Sequence, residues 1–282
     1  MGRHRQDRMR HPPLTERRAW PPLIAVAHGS SDPRAAAAVT DLMALVQARP
    51  GLPGLQARAA FLGHALPSVP DVLEAVYGSL SDDHQERDAP AAVVLPLLLT
   101  AAYHSDADLP ALLGEATRRL PRLRISYGEP LGPHPGLLRA LDRRLVEAGG
   151  PGPEGPGGTA VVLAAAGSSR LTANAAVARA AAAWQRARGW QSVVPAYASA
   201  AAPSPAEAVT GLLRAGAARV VVATYLLAPG VFADQVRERS LAAGAAVVSG
   251  PLGAAPEVAD VVIERYQQAV YEDAVLRVRH RA

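Results

Sequence analysis

The feature that most constrains this chain is that it is written twice. AVVLAAAGSSR (Ala160–Arg170) answers LIAVAHGSSDPR (Leu23–Arg34), and AYASAAAPSPAEAV (Ala196–Val209) answers AFLGHALPSVPDVL (Ala60–Leu73). RVVVATYLLAPGVFADQV (Arg219–Val236) answers AAVVLPLLLTAAYHSDADL (Ala91–Leu109), and PLGAAPEV (Pro251–Val258) answers PLGPHPGL (Pro130–Leu137). Four matches in the same order imply two copies of one fold. Between them lies GGPGPEGPGG, Gly149–Gly158, too rich in glycine and proline to hold helix or strand. The expected division is a basic tail at 1–20, a first repeat at 21–148, a linker at 149–158 and a second repeat at 159–282. With 282 residues, each repeat is long enough to bury a core of its own.

Within a repeat, short apolar runs alternate with stretches of helical spacing. In the first, LIAVA (Leu23–Ala27) precedes a helix over Asp32–Ala48, and RAAFL (Arg58–Leu62) precedes one from about Ser68. AAVVLPLLL (Ala91–Leu99) precedes a helix from about Asp106, and RISYG (Arg124–Gly128) precedes one from Pro135. Uninterrupted β-rich runs separated by amphipathic helices predict parallel strands covered on both faces. Right-handed crossovers then make each repeat an α/β unit, a small parallel sheet flanked by helices. The carboxyl edges of the two sheets are expected to face a shared cleft.

Composition narrows the chemistry. Cysteine is absent, which excludes disulfides, thiolate metal sites and cysteine nucleophiles. Lysine is absent too, which removes Schiff-base chemistry and the phosphate-loop lysine. The formal charge of +4 sits in the first twenty residues, where six arginines face Asp7 and Glu16; the rest sums to about zero, so no nucleic-acid face is implied. That segment lacks the apolar core of a secretory signal and reads as a disordered tail. No run is apolar and long enough for a bilayer, and a cytoplasmic location is expected. GxSxG, Walker and dinucleotide fingerprints are missing.

The histidines break the repeat. His28 aligns with Ala166 and His104 with Phe232, so the scaffold is kept twice but the imidazoles occur once. His28 directly follows the first strand and His104 follows the third by a few residues. In a doubly wound sheet both positions fall at the carboxyl edge, where ligands bind. Two neutral imidazoles there can hold a borderline divalent metal, and either can accept a proton near neutral pH. The competing reading makes each a turn or capping residue, but the second repeat builds the same turns without imidazole. His64 follows the second strand and is an intermediate candidate. His4, His11 and His280 lie in tails, His84 in the polar loop SDDHQERD and His134 before a helix; these read as solvated. Ser30, Ser31 and Asp32 read as caps of the following helix.

AHGSSDPR, AFLGHALPS and VVLPLLLTAAYHSDADLP resemble the sirohydrochlorin chelatases, the CbiX and SirB type of class II chelatase, over nearly all the chain beyond the tail. The resemblance implies two flavodoxin-like α/β domains facing across a cleft that holds a tetrapyrrole. It implies that His28 and His104 bind incoming Fe²⁺ or Co²⁺ and help remove the pyrrole protons. It also implies that Leu98, Leu99, Thr100, Ala101, Ala102 and Tyr103 line the macrocycle site, with Gly63 and His64 contributing. Gly63 stands where the family commonly has a glutamate, in a pattern like FLExAxPS, which leaves His64 as a stand-in ligand or base. The metal would be substrate rather than a resident cofactor. The expected partner is the tetrapyrrole alone, with neither nucleic acid nor membrane, and the duplication makes a monomer self-sufficient. Two rivals stay open: a chelatase of different metal or tetrapyrrole, and a degenerate relative that binds tetrapyrrole or metal without inserting it.

Overall fold

The computed structural model describes residues 20–80, 89–100, 109–152 and 157–281. Four strands of the first repeat, β1 (Leu23–Ala27), β2 (Ala57–Phe61), β3 (Ala92–Pro96) and β4 (Ile125–Tyr127), pair in parallel in the order β2-β1-β3-β4. Their second-repeat counterparts, β5 (Thr159–Ala165), β6 (Ser192–Tyr197), β7 (Arg219–Tyr225) and β8 (Val247–Val248), pair as β6-β5-β7-β8. β1 and β3 are buried at every position, as unbroken apolar runs require when helices cover both faces. β3 is shorter than the run AAVVLPLLL suggested: it stops at Pro96, and Leu97–Thr100 leave the sheet.

The helices are α1 (Pro33–Gln47), α2 (Val69–Gly78), α3 (Leu109–Arg119), α4 (Pro135–Glu147), α5 (Leu171–Arg188), α6 (Pro205–Arg214), α7 (Val231–Ala242) and α8 (Pro256–Arg281). The copies share fine detail. Ser68 and Asp71 form a capping box at α2, as Ser204 and Glu207 do at α6. In the preceding loops His64 and Ala200 both sit at φ 58, a left-handed conformation that a Cβ disfavours.

The layers are not those of two separate domains. On the outer face of the first sheet, residues of α2 and α3 such as Leu73 and Leu113 pack on Ile24 and Val94. The second sheet has a matching outer cluster around Val162, Val209 and Val236. The two inner faces merge into one core that joins Leu23, Val93 and Leu141 to Val161, Trp184 and Tyr266. There the last helix of each repeat crosses over: α4 lies against β7, and α8 lies against β3, β4 and α1. Polar ties follow the crossing. Buried Asp142 on α4 accepts from Trp184 Nε1 at 2.9 Å and from Arg188 Nε at 2.8 Å, both on α5. Tyr266 on α8 donates to the Pro21 carbonyl at 2.7 Å, and Arg143 on α4 pairs with Glu257 on α8. Among the described residues, no helix is long and apolar enough to cross a membrane.

Candidate functional site

The carboxyl edges of the two sheets meet at a cavity of about 500 Å³, within the range of small-molecule sites. From the first repeat it takes His28 and Leu97–Thr100; from the second, Ala165–Ser169, Asn174, Tyr225, Leu226 and Leu227 contribute among others. The wall is mainly leucine and alanine with a few polar groups. Further apolar side chains stand exposed just past the strands: Leu66 after β2, Leu171 after β5, and Val231 and Phe232 after β7. Large exposed aliphatic and aromatic groups gathered on one edge mark a surface that expects an apolar ligand.

His28 is placed by the turn that ends β1. Its carbonyl accepts the Gly63 amide at 3.1 Å. Gly29 adopts φ +91, and a Cβ on it would lie 1.7 Å from the Gly63 carbonyl oxygen, so glycine is the residue the turn can hold. Ser30 Oγ then accepts the Asp32 amide, and Asp32 caps α1 by accepting the Arg34 amide at 2.9 Å. The imidazole is left exposed at the cavity. The second repeat makes the same turn: the Ser199 amide donates to Ala166, Gly167 has φ +86, and Ser168 Oγ accepts the Arg170 amide. Ala166 stands where His28 does, so the imidazole is not needed to build the turn.

The His28 turn also touches the other repeat. Arg34 bridges Asp32 and Asp234, each at 2.6 Å, tying the start of α1 to the start of α7. Its guanidinium holds the Asp32 carboxyl below the usual carboxylate range. A Cβ on Gly230, just before α7, would lie 4.0 Å from Ser30 Oγ.

Of the residues singled out from the sequence, His28, Leu98, Leu99 and Thr100 come together in the cavity. His104, with Ala101, Ala102 and Tyr103, lies outside the described residues, as does His84. Gly63 and His64 are not among the cavity's lining: Gly63 supports the His28 turn through its backbone, and His64 is exposed in the loop beyond. A Cβ on Gly63 meets nothing within 4 Å. His134 is not the solvated residue expected. It caps α4 by accepting the Gly136 amide at Nδ1, and its Nε2 lies 3.2 Å from Glu264 on α8. Among the described residues, no three of His, Asp or Glu group closely enough to hold a metal ion.

The second repeat's share of the cavity was not legible in residue types. Ala165, Ala166, Leu226 and Leu227 look like strand and turn filler; their only signal is position at the carboxyl ends of β5 and β7. Asn174 was missed as well. Its side chain bonds both the amide and the carbonyl of Ser168 and so fixes the turn beside the cavity.

Comparison with known proteins places these features in context. The sequence model of the CbiX family matches residues 22–148 and 160–269. A sirohydrochlorin cobaltochelatase of Priestia megaterium is 30% identical over 152 residues, 54% of this chain and 50% of that protein. A sirohydrochlorin ferrochelatase of Bacillus subtilis (strain 168) is 29% identical over 143 residues, 51% of this chain and 53% of that protein. The chain thus spans about half the length of the curated relatives it matches. The structure of SirB from Bacillus subtilis with Fe³⁺ superposes with a TM-score of 0.73 at 23% identity, covering 89% of this chain and 96% of that one. SirB from Bacillus subtilis subspecies spizizenii in complex with cobalt gives a TM-score of 0.69 at 21% identity over the same shares. Both likenesses establish the fold: two parallel four-stranded sheets with their helices.

Proposed function

This chain belongs to the CbiX family, and from that premise we propose that it inserts a divalent metal, Fe²⁺ or Co²⁺, into sirohydrochlorin in the cytoplasm, acting as a single chain. The observation that carries the reading is the cavity itself, where the apolar carboxyl edges of both repeats converge on one exposed imidazole, His28. A flat macrocycle with a carboxylate fringe suits such a slot, its faces against leucine and alanine and its fringe toward solvent.

The reaction replaces two pyrrole protons with one metal ion. His28 and His104 are assigned both parts of the work, binding the ion as neutral imidazoles and accepting the protons the ring gives up. A site with few protein ligands holds a metal loosely enough to hand it on, where a closed four-ligand cage would keep it. Leu98–Tyr103 are assigned to the macrocycle face. Gly63 and His64 enter as neighbours of the His28 turn rather than as wall.

The test is anaerobic turnover of the purified full chain with sirohydrochlorin and each metal, followed by the absorbance change on insertion. His28→Ala should lower insertion by about 10²–10⁴-fold while the protein stays folded, since Ala166 builds the same turn. Insertion by His28→Ala at the parent rate would refute the assignment. Gly63, standing where the family resemblance leads a glutamate to be expected, supports a second reading. A chain that shifts the sirohydrochlorin spectrum but never inserts metal would be a binding protein.

A further inference from the structure

Beyond Pro96 the first repeat's chain leaves its sheet, and three successive residues are tied down by three different elements. The Leu97 amide donates to Val26 of β1 at 2.8 Å. The Leu98 carbonyl accepts the Gly132 amide, from the loop before α4, at 3.1 Å. The Leu99 carbonyl accepts the hydroxyl of Tyr225, from the end of β7 in the other repeat, at 3.2 Å. Leu97, Leu98, Leu99, Thr100 and Tyr225 all line the cavity.

The fit around this strut is close. A Cβ on Gly132 would lie 2.1 Å from the Leu99 carbonyl oxygen and 2.9 Å from the Tyr225 hydroxyl, so a side chain there would break the contact. Tyr225 is 3% exposed. Burial pushes its phenol far above the usual range, so it stays protonated and keeps donating.

The strut is one-sided, as the histidines are. Tyr225 pairs with Ala165, and Ala165 corresponds to Ala27 through their shared pairing with Tyr197 and Phe61. Since Val26 faces Pro96, the first-repeat residue equivalent to Tyr225 is Leu97, which has no hydroxyl. Among the described residues, the second repeat braces the first repeat's wall through this hydroxyl and receives no equivalent tyrosine contact in return. In sequence, the braced residues come a few positions before His104.

We propose that Tyr225 is a positioning residue for tetrapyrrole binding, acting across the cleft through the Leu99 carbonyl to set the Leu98–Thr100 wall. This rests on the tetrapyrrole reading above. The second repeat, though it lacks the histidines, is then a working part of the site.

The experiment is Tyr225→Phe in the full chain, which keeps the ring and removes the hydroxyl. Sirohydrochlorin binding is titrated by absorbance without metal, and insertion is then measured with Co²⁺. Loss of one hydrogen bond that orders the wall should raise the dissociation constant and KM roughly five- to tenfold. The kcat should stay within about twofold and its pH profile should not move, because the histidines are untouched. Hydrogen exchange in the ligand-free protein should quicken at Leu99–Thr100 and stay unchanged in β1 and β5, a readout that does not depend on the ligand. If the parent inserts metal and the variant matches it in KM and in exchange, the strut is refuted while the chelatase reading stands. If the parent neither binds nor processes sirohydrochlorin, both fall together. A variant that loses kcat and KM equally, with exchange raised throughout, would make Tyr225 a general fold residue and overturn the proposal.

Discussion

Asp142 offers the sharpest test of how the two repeats are joined. It lies on α4 of the first repeat with 6% of its surface exposed, and its carboxylate holds Trp184 and Arg188 of the second. Asp142→Ala leaves the Trp184 indole N–H without its acceptor in a residue that is 1% exposed. A buried unsatisfied donor of this kind costs about 1–3 kcal/mol. Arg188 loses its partner too, but its side chain is 31% exposed and can turn to water, so that share is discounted to at most about 1 kcal/mol. The total is about 3 kcal/mol, or a fall in Tm of roughly 6 °C for a chain of this size. Asp142→Asn keeps an acceptor for the indole but turns the oxygen that faces Arg188 into an NH2 donor; since Arg188 can turn to water, it should cost about 1 kcal/mol. Urea unfolding followed by tryptophan fluorescence reads this directly, since Trp184 packs edge-on against Trp190 at 5.7 Å. In a Trp184→Phe background the penalty of Asp142→Ala should shrink by the indole share. Equal losses for Ala and Asn would refute the account, and so would a loss below about 0.5 kcal/mol for Ala.

Two further expectations follow. Gly63→Glu should fold normally, since a Cβ there meets nothing within 4 Å; by placing a carboxylate beside the His28 turn it should tighten Co²⁺ binding by calorimetry, and unchanged affinity would count against His28 as ligand. Stability should be lost on acidification: Asp32, Asp71, Glu207 and Glu257 all have carboxyls held below their ordinary values by Arg34, Ser68, Ser204 and Arg143 respectively. Such depressed groups stabilise the fold above the unfolded pKa near ~4 and lose that contribution as pH falls through their folded values, so the urea midpoint should drop below about pH 4 and a flat profile there would contradict the assignment.

Much of the architecture was legible because its causes are local. Unbroken runs such as LIAVA name buried parallel strands, and Ser68 with Asp71 names the start of a helix. The start of the helix after His28 was legible for the same reason, with Asp32 doing the capping job that its residue type predicts. What escaped the sequence depends on distant parts of the chain. Nothing in PGLLRALDRRLVE tells that α4 serves the other repeat's sheet, since its apolar stripe would fit either one. Tyr225 reads as one more β-former until its hydroxyl is seen at the Leu99 carbonyl. His134 read as solvated because a cap that also meets Glu264, over a hundred residues away, leaves no local pattern.

The exchange of α4 and α8 has a consequence for assembly. A single repeat on its own would leave β3 and β4 without the helix that α8 provides, and its α4 without a sheet to cover. Its remedy would be a second copy trading helices with it, and such a pair would fall apart on dilution. Linking the copies through Gly149–Gly158 replaces that dependence with a fixed, high local concentration. Fusion also ends the obligation of symmetry. Once the two repeats are different stretches of one chain, a change in one is no longer imposed on the other, and the positions of Ala166, Phe232 and Tyr225 were free to become unlike His28, His104 and Leu97.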